Sequence, residues 1–392
     1  MSAQTIYQNK YNELRSAYKY YIDSYDALYQ LKTENEEELN KIYIMIKTDL
    51  IDSKIYLPQN LIKDILNIIP YNNRYVKSYL YLAKLIYDDF HVEDVRKVEL
   101  ISFYLFYKEY GIKLNNSDNF EKYNFGKLDI HSEDTIYRAI MYNDKERFIL
   151  STERDDFDKN QKLKSDLYPY SHVGYSLLEL CCYHGAVDCF KLLRTKFNSE
   201  ITQECLQFSF LGGNPEIISE CLKYQTPDRF CMEYAIISRN IDFVTFLMNE
   251  YNIEIKLHFC ARYNNLDSFF VYFDQTNNVN KCFIKSGAFG ILSLCKYFLS
   301  LGANINAKDE NGETALFNAA MISQEIVEFL LSQGISINEE NIIGETALHR
   351  AMYNGKLFQF LVSHGGRTRL DPRYRPNPPH RRRLRISHDS KK

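Results

Sequence analysis

Between Gly312 and Asn338 the chain reads GETALFNAAMISQEIVEFLLSQGISIN, and its opening word returns as GETALHRAM from Gly344. A spacing in the range of roughly 20 to 50 residues marks stacked units, none of which buries its apolar face alone. Both copies read the same way. Gly312 and Gly344 suit a turn, because a residue without Cβ reaches positive φ at little cost. Thr314 and Thr346 offer hydroxyls to the unpaired first N–H groups of a helix. Ala319, Ala320 and Ala351 keep the inner face of that helix thin, which makes Ala319 and Ala320 expected packing positions. A second helix, Glu325 to Ser332, sets Ile326, Phe329 and Leu330 at helical spacing and stops at Gly334, a natural left-handed cap.

The two-helix rhythm extends upstream. Second helices end at Leu193, Leu222, Leu247, Phe273, Leu299, Leu331 and Leu361, at intervals of 29, 25, 26, 26, 32 and 30 residues. The short intervals leave no room for a full turn finger, so the units from Ser176 to Leu299 are expected to be helix pairs with little strand. In GNPEIISECL, Asn214 is placed to cap a second helix that has Pro215 in its first turn. TIYRAIMYNDKERFIL, from Thr135 to Leu150, reads as a further divergent unit.

The stretch LSLGANINAKDENGETAL, from Leu299 to Leu316, resembles the ankyrin repeat. That resemblance implies a β-turn finger and two antiparallel helices per unit, with recognition through the finger tips and the concave groove. His349 matches the histidine of the family's T-A-L-H word and is expected to bond with Thr346. Phe317 replaces it one unit earlier, which removes that side chain from the local polar network. Over about residues 1 to 366, including IYLPQNLIKDILNIIPYNNRYVKSYL and YSLLELCCYHGAVDCFKLL, the chain resembles a large expanded family of protist ankyrin proteins. Those proteins carry an uncharacterised helical region before their repeats, and the resemblance implies no catalytic activity.

The first 130 residues read as helices without a clear repeat. Leu14, Tyr18, Tyr21, Ile22, Tyr25 and Leu28 share one face. Thr33 and Glu36 have the spacing of a capping box ahead of Leu39, Ile42, Ile46 and Leu50. Leu57, Leu61, Ile65, Leu66 and Ile69 form another stripe between Pro58 and Pro70, and Val76, Tyr79, Leu80, Ala83 and Tyr87 a fourth. One-sided aromatic stripes of this kind are core.

Composition fits this picture. A 45% apolar and 25% charged chain of 392 residues is long enough to bury a large core. The N-terminus lacks a signal pattern and no apolar run approaches the ~18 residues of a membrane span. These features point to the cytoplasm, or to the nucleus if the tail acts as an import signal. Nine cysteines, an odd number without a leader, argue against a disulfide framework. CCYH at Cys181 lacks a second pair at zinc-finger spacing, so no metal is expected. No G-x-S-x-G, Walker loop, dinucleotide fingerprint or H-E-x-x-H occurs, and no cofactor or catalytic residue is expected.

The net charge of −3 conceals an asymmetry. From Arg367 to Lys392 eight arginines and two lysines face Asp371 and Asp389, a net of +8, which leaves −11 for the body. Within this Pro-rich tail Arg381, Arg382, Arg383 and Arg385 form a patch of the kind that binds phosphate or directs nuclear import. A change of reading frame or a truncated gene would also produce the compositional shift, and would leave the last repeat without a cap. In that case Leu357, Phe358 or Leu361 should be partly exposed.

The sequence therefore predicts an all-α ankyrin-type solenoid: a helical region over 1–130, divergent and mostly finger-less units over 134–300, fingered repeats over 301–366, and a basic disordered tail over 367–392. Its expected role is a monomeric, non-enzymatic scaffold for another protein. The finger contacts are Lys308, Asp309, Glu310, Asn311, Glu339, Glu340 and Asn341. The alternative is a nuclear or nucleic-acid-associated factor working through the tail.

Overall fold

The computed structural model describes residues 3–115, 132–352 and 354–367, with scattered positions between Phe120 and Ile130. The tail arginines Arg381, Arg382, Arg383 and Arg385 lie outside the described residues.

Six helices build the N-terminal region: α1 (Ala3–Ala17), α2 (Lys19–Tyr29), α3 (Glu36–Ile46), α4 (Pro58–Ile68), α5 (Val76–Phe90) and α6 (Leu100–Tyr110). α3 runs on as a π-helical stretch over Lys47–Asp52. The predicted stripes are buried at nearly every position, although Leu57 is 41% exposed because it stands outside α4 as its N-cap. The expected capping box does not form. Asn35 is the N-cap of α3, accepting from the Glu38 N–H at 3.1 Å, and Thr33 instead accepts from the Asn35 N–H at 3.0 Å. The extended backbone at Asn35 presents its short amide to N3, so Glu36 is already the first helical residue.

Eight helix pairs follow among the described residues: α7 (Ile136–Met141) and α8 (Lys145–Thr152), α9 (Leu177–His184) and α10 (Val187–Phe197), α11 (Gln203–Gly212) and α12 (Pro215–Cys221), α13 (Arg229–Ile237) and α14 (Ile241–Tyr251), α15 (Leu257–Arg262) and α16 (Leu266–Thr276), α17 (Val279–Ser286) and α18 (Leu292–Ser300), α19 (Ala315–Ala319) and α20 (Gln324–Ser332), and α21 (Ala347–Ala351) and α22 (Gly355–Ser363). They stack into an all-α solenoid in which first helices meet first helices. Asn214 caps α12 by accepting from the Glu216 and Ile217 N–H groups.

In the first six pairs the turn between helices contains a left-handed residue: Asn143, Gly185, Gly213, Arg239, Asn264 and Gly290. Four residues before each stands a small buried one: Ala139, Cys181, Ser209, Ala235, Cys260 and Ser286. Ala319 and Ala351 continue the series in the last two units, and Ala320 is likewise buried. For Ala319 a close approach between units is evident. At Gly287 an added Cβ would stand 2.8 Å from the Ala315 carbonyl and 3.2 Å from the Ala319 Cβ of the next unit. The cysteines are small hydrophobes in this pattern. All nine are free and buried, and burial pushes thiols such as Cys181 and Cys260 well above their ordinary pKa.

Strand is sparse, as expected: Lys162–Leu163 pairs antiparallel with Tyr175–Ser176 directly before α9. Of the three side chains among which partial exposure was expected in the last unit, Phe358 is partly exposed, whereas Leu357 and Leu361 are fully buried. After α22 the chain turns back, with Gly366 N–H donating to the Leu361 carbonyl at 2.9 Å and Arg367 N–H to Asn338 Oδ1 at 2.8 Å. Among the described residues of this end, Ile342, Ile343, Met352 and Val362 are the exposed large apolar side chains.

Candidate interaction surface

The fingers begin as turns written by one short polar residue each. Asp309 Oδ1 accepts from the N–H groups of Asn311 at 3.0 Å and Glu313 at 2.9 Å, and its own N–H donates to the Glu313 carbonyl. Asn341 repeats this one unit later, with Oδ1 accepting from Ile343 and Glu345. Gly312 and Gly344 follow at φ of 74° and 78°, where an L side chain is strained. The two fingers are then joined: Ile342 N–H donates to the Asn311 carbonyl at 2.9 Å, and Lys308 pairs with Glu339 at 2.6 Å.

Thr314 and Thr346 start the first helices as expected. The Thr314 hydroxyl accepts from the Phe317 N–H, while Thr346 N–H donates to His349 Nδ1 at 2.9 Å, closing the reciprocal cap expected there. Phe317 is buried beneath the Arg350 guanidinium, 4.5 Å from its ring centre, so an aromatic-cation contact replaces the missing histidine. Gly334 ends its unit at φ 82°.

A chain of charge runs behind the fingers. Lys285 lies 2.8 Å from Asp309 and 2.9 Å from Glu313, and Glu313 also receives Arg350 at 3.2 Å. Burial works against the Lys285 ammonium, yet the hydrogen bonds to Asp309 and Glu313 prevail and hold its pKa above the ordinary lysine value. Of the seven proposed contact positions, Asp309 and Asn341 are thus engaged inside the fingers and half-buried. Lys308, Glu310, Asn311 and Glu340 are exposed along the tips, and Glu339 is half-buried against Lys308.

The opposite edge of the solenoid, formed by the turns between paired helices, is covered by the N-terminal region. Tyr183, at the end of α9, donates to the Pro70 carbonyl at 2.9 Å. The Gln30 amide reaches the Ser238 carbonyl, Arg15 pairs with Asp267 at 3.0 Å, and Tyr71 meets Tyr263 at 3.2 Å. Gly290 fits against the Ile55 carbonyl, where a Cβ would come within 2.8 Å. Lys97, on the non-helical segment between α5 and α6, extends to Met321 in the α19–α20 turn.

The centre of this joint is polar and buried. Asn264 Oδ1 accepts from the hydroxyls of Tyr21 at 3.0 Å and Tyr56 at 2.9 Å, and its amide donates to Asp64 at 3.0 Å. Asp64 also accepts from the Tyr25 hydroxyl at 2.9 Å. Beside it the buried Arg239 guanidinium donates to the carbonyls of Tyr263 and Asn264, stacks over Tyr29 and faces Asp26 at 3.5 Å. Burial raises the pKa of Asp26, with Arg239 opposing it. The apolar stripe of α2 was legible in sequence; the destination of its hydroxyl groups was not, because the partner of Tyr21 lies 243 residues away and that of Tyr25 lies 39.

Stacked helix pairs with joined turns define a repeat solenoid, a class whose extended surfaces serve recognition. Its C-terminal units are ankyrin repeats: residues 257–341 and 282–371 match a family model of three ankyrin copies. Residues 197–272 match a domain of unknown function, DUF3447, which covers the pairs α11–α12 and α13–α14 and most of α15–α16. No curated protein matches the chain. Among the described residues no helix is long and apolar enough to cross a membrane.

Proposed function

We propose that the chain is a non-enzymatic protein-binding scaffold whose partner meets the finger tips, through Lys308, Glu310, Asn311 and Glu340, with Glu339 at the margin. The observation that carries this reading is the contrast between the two edges of the solenoid. The turn edge is filled by the protein's own N-terminal helices, whereas the fingers are braced from behind by Lys285, Glu313 and Arg350 and keep their tips in solvent. A rigid frame with exposed polar tips loses little conformational freedom on binding. Asp309 and Asn341 then act as positioning residues that hold the tips. In this reading residues 1–130 are a brace fused to the array, in keeping with the resemblance to the expanded protist ankyrin proteins. A tagged chain purified from its native cell should retain a partner that is lost on Lys308→Ala/Glu310→Ala/Asn311→Ala/Glu340→Ala and kept when residues 368–392 are deleted. Retention by the finger variant would overturn the proposal. A partner lost only with the tail, together with a salt-sensitive shift of nucleic acid in a mobility assay, would favour the nucleic-acid reading.

A further inference from the structure

The finger row has one open edge. At Gly312 an added Cβ would stand 3.1 Å from Asn341 Cα, because the second finger packs there. At Gly344, the same place one unit later, none of the described residues lies within 4 Å. On this second finger Ile342 is 72% and Ile343 48% exposed, the former the most exposed large apolar side chain among the described residues. Around them stand Glu310, Glu339 and Glu340, with Lys308 the cation among them.

The path of the chain leads to this edge. A ladder of asparagine amides runs along the finger bases. Asn280 Oδ1 accepts from the Asn304 N–H, Asn306 Oδ1 from the Ser336 N–H, and Asn338 Oδ1 from the Arg367 N–H, each at 2.8 Å. The third rung fixes Arg367 beside the second finger. From there 25 residues follow, with seven arginines and two lysines against two aspartates, a net of +7. Leu370 and Tyr374 are interspersed among the first of these charges. Tethered opposite charges a few residues apart are held at an effective concentration in the millimolar range, so weak attraction suffices.

We propose that the open edge of the second finger is the docking site of the chain's own basic segment, residues 368–385. Arg369, Arg373 and Arg375 meet Glu310, Glu339 and Glu340, while Leu370 and Tyr374 cover Ile342 and Ile343. The arginines then belong to the finger surface, and Arg381 to Arg385 leave from its end. The segment then occupies part of the surface proposed for an external partner, as a tethered competitor for Glu310 and Glu340 that a partner must displace, and the inference does not rest on that partner's identity.

Paired cysteines in the full chain test it. Ile343→Cys with Tyr374→Cys should form an intramolecular disulfide under mild oxidation at least about tenfold faster than Ile343→Cys with Ile386→Cys, with the advantage shrinking at high salt. The nine native cysteines are buried and compete little. As a second measure without added cysteines, trypsin at low salt should cut after Arg369 and Arg373 at least about tenfold more slowly in the wild-type chain than in Glu310→Gln/Glu339→Gln/Glu340→Gln, because removing the carboxylates releases the segment. Equal disulfide rates for the two pairs, equal cleavage in the two proteins, or disulfides that form only between chains would each overturn the proposal; the last would assign the edge to a second copy.

Discussion

Asn264 has a φ of 53°, a conformation that short polar residues tolerate better than others, and uses its amide for three side-chain hydrogen bonds. Its backbone carbonyl receives Arg239. One residue thus holds both the turn between α15 and α16 and the seat of α2 and α4. Asn264→Ala should destabilise the protein by about 2–4 kcal/mol, since two tyrosine hydroxyls and a carboxylate lose a buried partner and the left-handed backbone gains strain. Asn264→Gly removes the same bonds without the strain and should be about 1 kcal/mol less harmful. Urea unfolding of the two variants measures the difference. Gly290→Ala should be damaging for a different reason: the methyl group would meet the Ile55 carbonyl, a backbone group with no rotamer to yield. A midpoint for Gly290→Ala equal to wild type would show that the N-terminal region does not press on this turn.

At the scale of the helix pair, the small residue four positions before each left-handed turn sets how closely first helices approach. Ala235→Leu, Cys260→Leu and Ala319→Leu should each cost about 1–3 kcal/mol by forcing methylenes into that contact, visible as a lower urea midpoint. Unchanged midpoints would contradict the stacking register. The pairs themselves were legible in sequence. Leu193, Leu222, Leu247, Phe273, Leu299, Leu331 and Leu361 all fall in or just beyond second helices, because apolar spacing and Asn or Gly caps are local signals. The fingers at 309–314 and 341–346 were legible for the same reason. What sequence could not place was non-local. The strand pair at Lys162–Leu163 and Tyr175–Ser176 is two residues long on each side and has no periodicity to read. The chain reversal at Gly365–Arg367, which ties the end of α22 back to Asn338, was not read either, because its partner lies 29 residues away. At the fingers the turns were legible, whereas the inward hydrogen bonds of Asp309 and Asn341 were not, because a short polar residue in a turn reads the same whether it faces solvent or its own backbone.

The whole molecule is one body rather than an array with an appendage, since the apolar core runs without a break from α1 and α2 into the first and second helices of the repeats. Its many buried tyrosines give that unity a pH signature. Burial, reinforced by neighbouring tyrosines and Asp64, pushes Tyr21 and Tyr25 well above the ordinary value of 10.0, and burial does the same to Tyr79 and Tyr183. Above pH 10 the unfolded chain releases these protons while the folded chain keeps them, so stability falls as pH rises, by up to about 1.4 kcal/mol per pH unit for each such tyrosine. Alkaline unfolding should therefore be steep, with tyrosinate absorbance and loss of helicity rising together; tyrosinate from the full set on an intact helical spectrum would refute the buried joint. The most direct test of the central claim, that the N-terminal helices are an integral brace on the turn edge of the solenoid, is amide hydrogen exchange of the full chain across sub-denaturing urea. Residues 19–29 of α2 and 266–276 of α16 should open with one common free energy and one dependence on urea. Exchange of α2 at low urea while α16 stays protected would mean that the brace detaches alone, and the account would fail.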